Sequence, residues 1–247
     1  MDIIPSVPLK IKLKRDNKEK EALETILLRK KIKEKNNIKK KLKKIRADFY
    51  IDEQRKKNQF LSKEKKKARL QKKIFVPSES KIFFVIRIRG INGLPPQTKK
   101  ILQLLRLGQI NNGIFLKINS STIQMLKKIE PFIAYGYPST EMVKILLKKK
   151  GFGKIGKRGA WQKICLDNNR IIEQTLSQYG VFSLEDLIHE INLCGPYFKE
   201  INNFLWPFKL RSPRKGFSKL GKTRSFSEKG SYGNWENSIN HLIKKMI

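Results

Sequence analysis

The chain has 247 residues and carries 56 Lys+Arg against 21 Asp+Glu, a formal net charge of +35. So large and uniform an excess argues against a compact enzyme and points to a polyanion as partner. A hydrophobic share of 39% and only two cysteines exclude a collagen-like, disulfide-scaffold or fully disordered chain. Cys165 and Cys194 cannot complete a four-ligand zinc site, and so few thiols suit a reducing compartment. Residues 1–8 lack a basic region followed by an apolar stretch, which predicts no secretory signal. The longest apolar runs, such as Phe83-Phe84-Val85-Ile86, fall far short of the ~20 residues a membrane helix needs, so no membrane partner is expected.

The charge falls into two parts. Residues 1–73 hold 27 basic and 10 acidic side chains, a net of +17, and the remainder of the chain holds +18. Between Pro8 and Pro77 there is neither Gly nor Pro, and Lys, Glu, Leu, Ile and Gln dominate. This predicts one long basic helix over roughly 14–73, which if continuous reaches on the order of 90 Å. Ile38, Leu42, Ile45 and Phe49 follow a 4-3-4 spacing, but the rhythm is not sustained, so a coiled coil is not expected. The clusters Lys39, Lys40, Lys41, Lys43, Lys44 and Lys65, Lys66, Lys67, Arg69 form either a solvated arm or one that orders on phosphates with release of counterions. The attached basic body favours the second reading.

From residue 80 the texture changes. Ile82, Phe84, Ile86 and Ile88 alternate with Phe83, Val85, Arg87 and Arg89, which predicts a strand with one wholly apolar face. Gly90, Asn92-Gly93 and Pro95-Pro96 mark a loop. A helix over about 97–107 turns Ile101, Leu102, Leu104 and Leu105 inward and Lys99, Gln103 and Arg106 outward, with Gly108 as its stop. A second strand follows at 114–118. Next comes a helix capped by Ser120 or Ser121 that buries Ile123, Leu126 and Ile129, and then a third strand at 132–135. The unit reads β-α-β-α-β, a small antiparallel or mixed sheet with two helices on one face.

Beyond it, 139–150 reads as a helix with Val143, Leu146 and Leu147 inward, and 151–159 as a basic glycine-rich loop. Residues 164–166 suggest a short strand. Ser183-Leu184-Glu185-Asp186 opens a capped helix burying Leu184, Leu187, Ile188 and Ile191, broken at Gly195-Pro196. Residues 211–235, rich in Ser, Gly, Lys and Arg, read as extended. Ile239, Leu242, Ile243 and Met246 predict a short docking helix. The fold class expected is α+β, with four divisions: 1–79 a basic helical arm, 80–138 the β-α-β-α-β core, 139–210 a helical elaboration packed on it, and 211–247 a basic extended tail with a short helix.

Two motifs invite an enzymatic reading. Gly216-Phe217-Ser218-Lys219-Leu220-Gly221-Lys222-Thr223 satisfies the P-loop pattern, but 210–215 is no buried strand and 224–230 is a poor helix. Gly151-Phe152-Gly153-Lys154-Ile155-Gly156 spells a dinucleotide fingerprint but follows a lysine-tipped helix instead of a strand. Its likelier use is close approach to phosphate beside Lys149, Lys150, Lys154, Lys157 and Arg158. His189-Glu190 lacks the second His of a zinc helix, and nothing orients a Cys194–His189 nucleophile pair. No enzyme, cofactor, metal or small-molecule substrate is therefore expected. No strand carries two stacking aromatics, and Trp206 lies in an apolar cluster. With 43 Lys to 13 Arg, point charges on phosphate outweigh bidentate base reading, which favours a large folded RNA.

Several blocks then carry a resemblance. They are Phe84-Val85-Ile86-Arg87-Ile88-Arg89-Gly90-Ile91-Asn92-Gly93, Ile101-Leu102-Gln103-Leu104-Leu105-Arg106-Leu107, Glu130-Pro131-Phe132-Ile133-Ala134-Tyr135-Gly136-Tyr137-Pro138, Glu185-Asp186-Leu187-Ile188-His189-Glu190 and Asn203-Phe204-Leu205-Trp206-Pro207-Phe208-Lys209-Leu210. Over about 82–215 the chain resembles the universal L-thirty family of ribosomal proteins, in its eukaryotic large-subunit "L-seven" form. The resemblance implies a ferredoxin-like core and a structural, non-catalytic role in cytosolic large ribosomal subunits, assembled in the nucleolus. It also implies large-subunit rRNA and neighbouring large-subunit ribosomal proteins as partners. By position it places RNA contacts on Arg87, Arg89, Lys99, Lys100 and Arg106, with the arm and the glycine-rich loop alongside; Arg211, Arg214 and Lys215 extend the basic set. The segments 159–163 and 216–235 depart from the family's pattern, so no contacts are transferred there. The competing classes are a chromatin-type architectural nucleic-acid binder and a P-loop nucleotide binder.

Overall fold

The structure is a computed structural model that describes residues 9–75, 80–157, 159–218 and 220–247, with side chains from residue 20. The chain divides into two units, Met1–Arg55 and Lys56–Ile247. Helix α1 (Leu9–Leu70) is the gap-free basic stretch expected from the sequence, helical because nothing in it breaks a helix. In the first unit its apolar residues are exposed: Ile38, Leu42, Ile45 and Phe49 are each more than half accessible. Among the described residues of that unit, α1 therefore shows no packed hydrophobic face.

The second unit is built on a five-stranded sheet. Strands β1 (Ile82–Arg87), β2 (Asn112–Lys117) and β3 (Ile133–Gly136) alternate with helices α2 (Pro96–Leu104) and α3 (Ser120–Ile129). β1 lies centrally and pairs antiparallel with both β2 and β3. This is the α+β, ferredoxin-like β-α-β-α-β core that the sequence predicts. The C-terminal half completes it with α4 (Thr140–Lys150), β4 (Phe152–Ile155), β5 (Gln162–Cys165), α5 (Asn169–Leu176), α6 (Leu184–Leu193) and α7 (Phe198–Phe204). Then follow β6 (Phe208–Lys209), β7 (Gly233–Asn234) and α8 (Ile239–Met246). Strand β6 extends the sheet beside β2, and β7 pairs parallel with β3, giving the order β6-β2-β1-β3-β7.

All six residues of β1 are buried because both sheet faces are covered. Phe83 and Val85 pack with Leu102 of α2 and with Leu126 and Ile129 of α3. Ile82, Phe84, Ile86 and Ile88 face the larger cluster formed with α4 to α8. Phe84 stacks among Phe115 and Phe208, and its ring fills the space over Gly113, where a Cβ would come within 2.5 Å of it. Burying a side chain of this size contributes about 1.5–3 kcal/mol.

Helix ends follow from local chemistry. Ser183 Oγ accepts from the Asp186 N–H, and Asp186 Oδ2 accepts from the N–H groups of Ser183 and Phe182. This is the capping box expected of that sequence. At α3 the expectation of a serine cap is corrected: Asn119 is the N-cap, and its N–H donates to Thr122 Oγ1 at 2.9 Å. Helix α2 stops at Leu104, which is exposed, because Arg106 turns left-handed at φ 56° and carries Leu105 and Leu107 inward.

Two further expectations are corrected. Residues 152–155 are a strand, not a loop, hairpinned antiparallel onto β5. Residues 211–235 are not extended: Phe226 stacks on Trp235 with ring centres 4.2 Å apart, and Trp235 Nε1 donates to the Ser231 carbonyl. Four aromatic residues (Phe217, Phe226, Tyr232 and Trp235) interleave this basic stretch, enough apolar area to fold it back as β7.

Candidate nucleic-acid interface

The basic residues singled out from the sequence separate into exposed cations and internal ties. On α1, Lys39, Lys40, Lys41, Lys44, Lys65, Lys66, Lys67 and Arg69 are exposed and Lys43 is half-buried. Lys67 Nζ lies 3.0 Å from Glu64 Oε1, a surface pair worth about 0.3–0.5 kcal/mol that a phosphate can displace. In the second unit, Lys99, Lys100, Lys149, Lys157, Arg211, Arg214 and Lys215 are exposed and Lys150 is half-buried. Arg158 lies outside the described residues.

Arg87 does not belong to this surface. It is 2% exposed, its Nε donates to the Arg89 carbonyl, and its Nη1 donates to the carbonyls of Leu107 and Gly108, each at 2.8 Å. It sits on the same side of β1 as Phe83 and Val85, and burial lowers its pKa from the ordinary arginine value. The expected phosphate contact is thereby corrected: Arg87 ties the end of β1 to the turn after α2. Arg106 is likewise turned inward, its Nη1 donating to the Leu205 carbonyl at 3.0 Å and its Nη2 to the Asn202 carbonyl at 2.7 Å. Burial lowers its pKa too. Both arginines read as outward-facing because their neighbours in sequence are polar or alternate; only the turn at Arg106 and the Leu107 and Gly108 carbonyls at Arg87 reveal otherwise.

Arg89 stays at the surface. Its guanidinium lies 5.1 Å from the centre of the Phe132 ring, in a shallow groove with Gly90, Ile91, Asn92, Gly108 and Ile110. Arg211 and Arg214 project from a strap whose N–H groups donate to the Met246 and Lys245 carbonyls, which satisfies the end of α8.

The two glycine motifs resolve into packing. A Cβ on Gly153 would meet the Phe204 ring at 2.6 Å, and one on Gly151 would meet the Leu147 carbonyl at 2.2 Å. Gly153 therefore admits the Phe204 ring of α7, and Gly151 closes the end of α4. Gly216 and Gly221 lie in turns with positive φ, with β6 a two-residue edge strand before them and a 3-10 turn, Phe226–Glu228, after them. Among the described residues neither the strand nor the helix of a nucleotide-binding loop is present there, and the P-loop alternative gains no support.

On the β4–β5 hairpin, Lys154 Nζ sits 3.8 Å over the Trp161 ring and Lys163 Nζ 3.6 Å over the Phe152 ring. Trp161 and Lys163 were not singled out from the sequence. Their signal was the alternation Trp161, Lys163, Cys165 on one strand face. Cys194 is buried, its Sγ donates to the Lys81 carbonyl, and burial pushes its thiol pKa up, the reverse of an activated nucleophile. Among the described residues no helix is long and apolar enough to cross a membrane, and no cluster of His, Cys, Asp and Glu could hold a metal ion.

Comparison with known proteins places this fold. A family profile described as ribosomal protein L30p/L7e matches residues 83–133, from β1 to the start of β3. The chain is 49% identical over 182 residues to large ribosomal subunit protein uL30B of Paramecium tetraurelia, covering 74% of this chain and 71% of that one. It is 47% identical over 207 residues to large ribosomal subunit protein uL30 of Neurospora crassa, covering 81% and 79%. It is also 47% identical over 182 residues to uL30 of Eremothecium gossypii, covering 74% and 73%. With identities of this size across most of each relative, and with β2 and nearly all of β1 inside the matched segment, the chain belongs to the ribosomal protein L30p/L7e family.

Proposed function

We propose that this chain is a structural constituent of the cytosolic large ribosomal subunit, where it binds and stabilises large-subunit rRNA beside neighbouring ribosomal proteins. The observation that carries the reading is family membership joined to a surface on which the exposed cations are mostly lysines. Phosphate contact is assigned to the exposed lysines of α1, to Lys99, Lys100, Lys149 and Lys157, to half-buried Lys150 and Lys154, and to Arg89, Arg211, Arg214 and Lys215. Arg87 and Arg106 act in the fold. The role needs no catalytic group: each contact neutralises a phosphate and releases counterions, so affinity falls steeply with salt.

The test is sedimentation of cell lysate through a gradient. The chain is expected with large subunits and with polysomes, leaving them as salt is raised. Recovery only with free protein, or on chromatin in place of ribosomes, would sink the proposal and restore the architectural DNA-binding alternative.

A further inference from the structure

The β4–β5 hairpin carries a charge arrangement that its own packing does not require. Lys154 and Lys163 are direct cross-strand partners, and like charges opposed in this way destabilise a hairpin. Lys163 lies over the Phe152 ring of β4 and Lys154 over the ring of Trp161, the residue just before β5, which offsets part of the repulsion without cancelling the charge. Burial and then the nearby Arg106 charge hold the Lys154 pKa below the ordinary lysine value. Among the described residues neither Lys154 nor Lys163 has an ion-pair partner. The inner side of the hairpin is already committed, with Gly153 against Phe204 and Ile155 against the core. The outer side leaves Lys163 exposed and Trp161 42% exposed.

Three occupants can be weighed. A carboxylate-rich protein surface would satisfy the lysines and leave the indole unused. Duplex RNA presents phosphates but keeps its bases stacked inside. An unpaired nucleotide uses both features, because its phosphate takes ammonium groups and its base has a face to stack on an aromatic ring. We infer that the outer face of the β4–β5 hairpin is a site for one unpaired RNA nucleotide, its phosphate held between Lys154 and Lys163 and its base stacked on the open side of Trp161. This rests on the reading of the chain as an rRNA-binding protein and adds to it a contact with a base.

The test uses the full chain with two probes, a short single-stranded oligoadenylate and an RNA duplex. Trp161→Ala should weaken oligoadenylate binding about tenfold, the scale of one lost base–aromatic stack, while duplex affinity stays unchanged. Trp161→Phe should retain most of the binding. Lys163→Gln should flatten the dependence of log affinity on log salt by about 0.7, one single-strand phosphate. Trp161→Ala binding both probes as the parent does, or losing both alike, overturns the inference. Both proteins are also sedimented with large subunits. If both co-sediment and oligoadenylate binding is unmoved, the hairpin site fails and the proposed function stands. If the parent protein does not co-sediment, the proposed function itself fails.

Discussion

Replacing Arg87 with Met removes the guanidinium while keeping an unbranched side chain at the same buried position. Three carbonyls then lose their donor, each now bonded at 2.8 Å. Hydrogen bonds to a charged group contribute about 1.5–3 kcal/mol each, which sets an upper bound near 9 kcal/mol if none is replaced. The Arg89 and Gly108 carbonyls lie at part-buried sites where water can take over, whereas the Leu107 bond is buried. Counting that bond in full and the others at a fraction gives a loss of about 3–4 kcal/mol, within the range for removing one partner from a buried polar network. For a domain of this size that corresponds to a fall of roughly 10 °C in Tm. Thermal and urea unfolding of the full chain measure it, with rRNA affinity of the folded protein read alongside across a salt series. Arg87→Lys should lie between, because an ammonium reaches fewer of the three carbonyls than the planar fork does. The reasoning is refuted if Arg87→Met unfolds with the parent protein and instead loses one phosphate's worth of salt dependence, since Arg87 would then be a surface contact.

Gly136→Ala places a Cβ 2.3 Å from the Glu236 carbonyl and 2.9 Å from Ile239 Cβ. It should cost about 1–3 kcal/mol and open the segment after residue 211 to limited proteolysis. Ser183→Ala removes the acceptor for the Asp186 N–H at the start of α6 and should lower stability by about 1 kcal/mol, read from the urea midpoint. Native alkylation should modify Cys165, which is exposed, and spare Cys194 until the protein is denatured; equal labelling of both would contradict the burial. Because the Cys194 pKa is raised in the fold, the unfolded chain gives up that proton first as pH climbs. Its contribution to stability is therefore present below the ordinary thiol range and declines as pH rises through it, which denaturation midpoints on the alkaline side test.

The sequence made the core legible wherever one face of an element was unmistakably apolar. Alternation located β1, and the spacing of Ile239, Leu242, Ile243 and Met246 located α8, all four residues of which are buried. Ser183 with Asp186 marked a helix start because the capping box is local chemistry. What escaped depended on tertiary contact. Arg87 alternates like a surface residue, and only the turn after α2, whose carbonyls it binds, makes it internal. β4 was hidden because glycines in a basic stretch suggest a loop, while Gly153 is there to admit the Phe204 ring. The folded stretch before α8 was masked by its Ser, Gly and Lys content, although Phe226 and Trp235 were available to anchor it. On the candidate interface, composition marked the cations correctly as a class but could not tell a free lysine from an arginine spent on carbonyls.

The parallel pairing of β7 with β3, and the sealing of one sheet face by α8, set a schedule for a chain made from its N-terminus. Some 157 residues separate Ile82 from Ile239, so at ~5–20 residues per second β1 waits roughly 8–30 s for the helix that covers it. During that interval Phe84, Ile86 and Ala134 have part of their final cover missing, while the lysines of α1 are already synthesised. A nascent chain in this condition combines a sticky apolar face with a strong polyanion-seeking segment. Escort of the growing chain, or a block on premature RNA contact, matters most over that window, and a stop codon that removes only 233–247 leaves the sheet permanently unsealed.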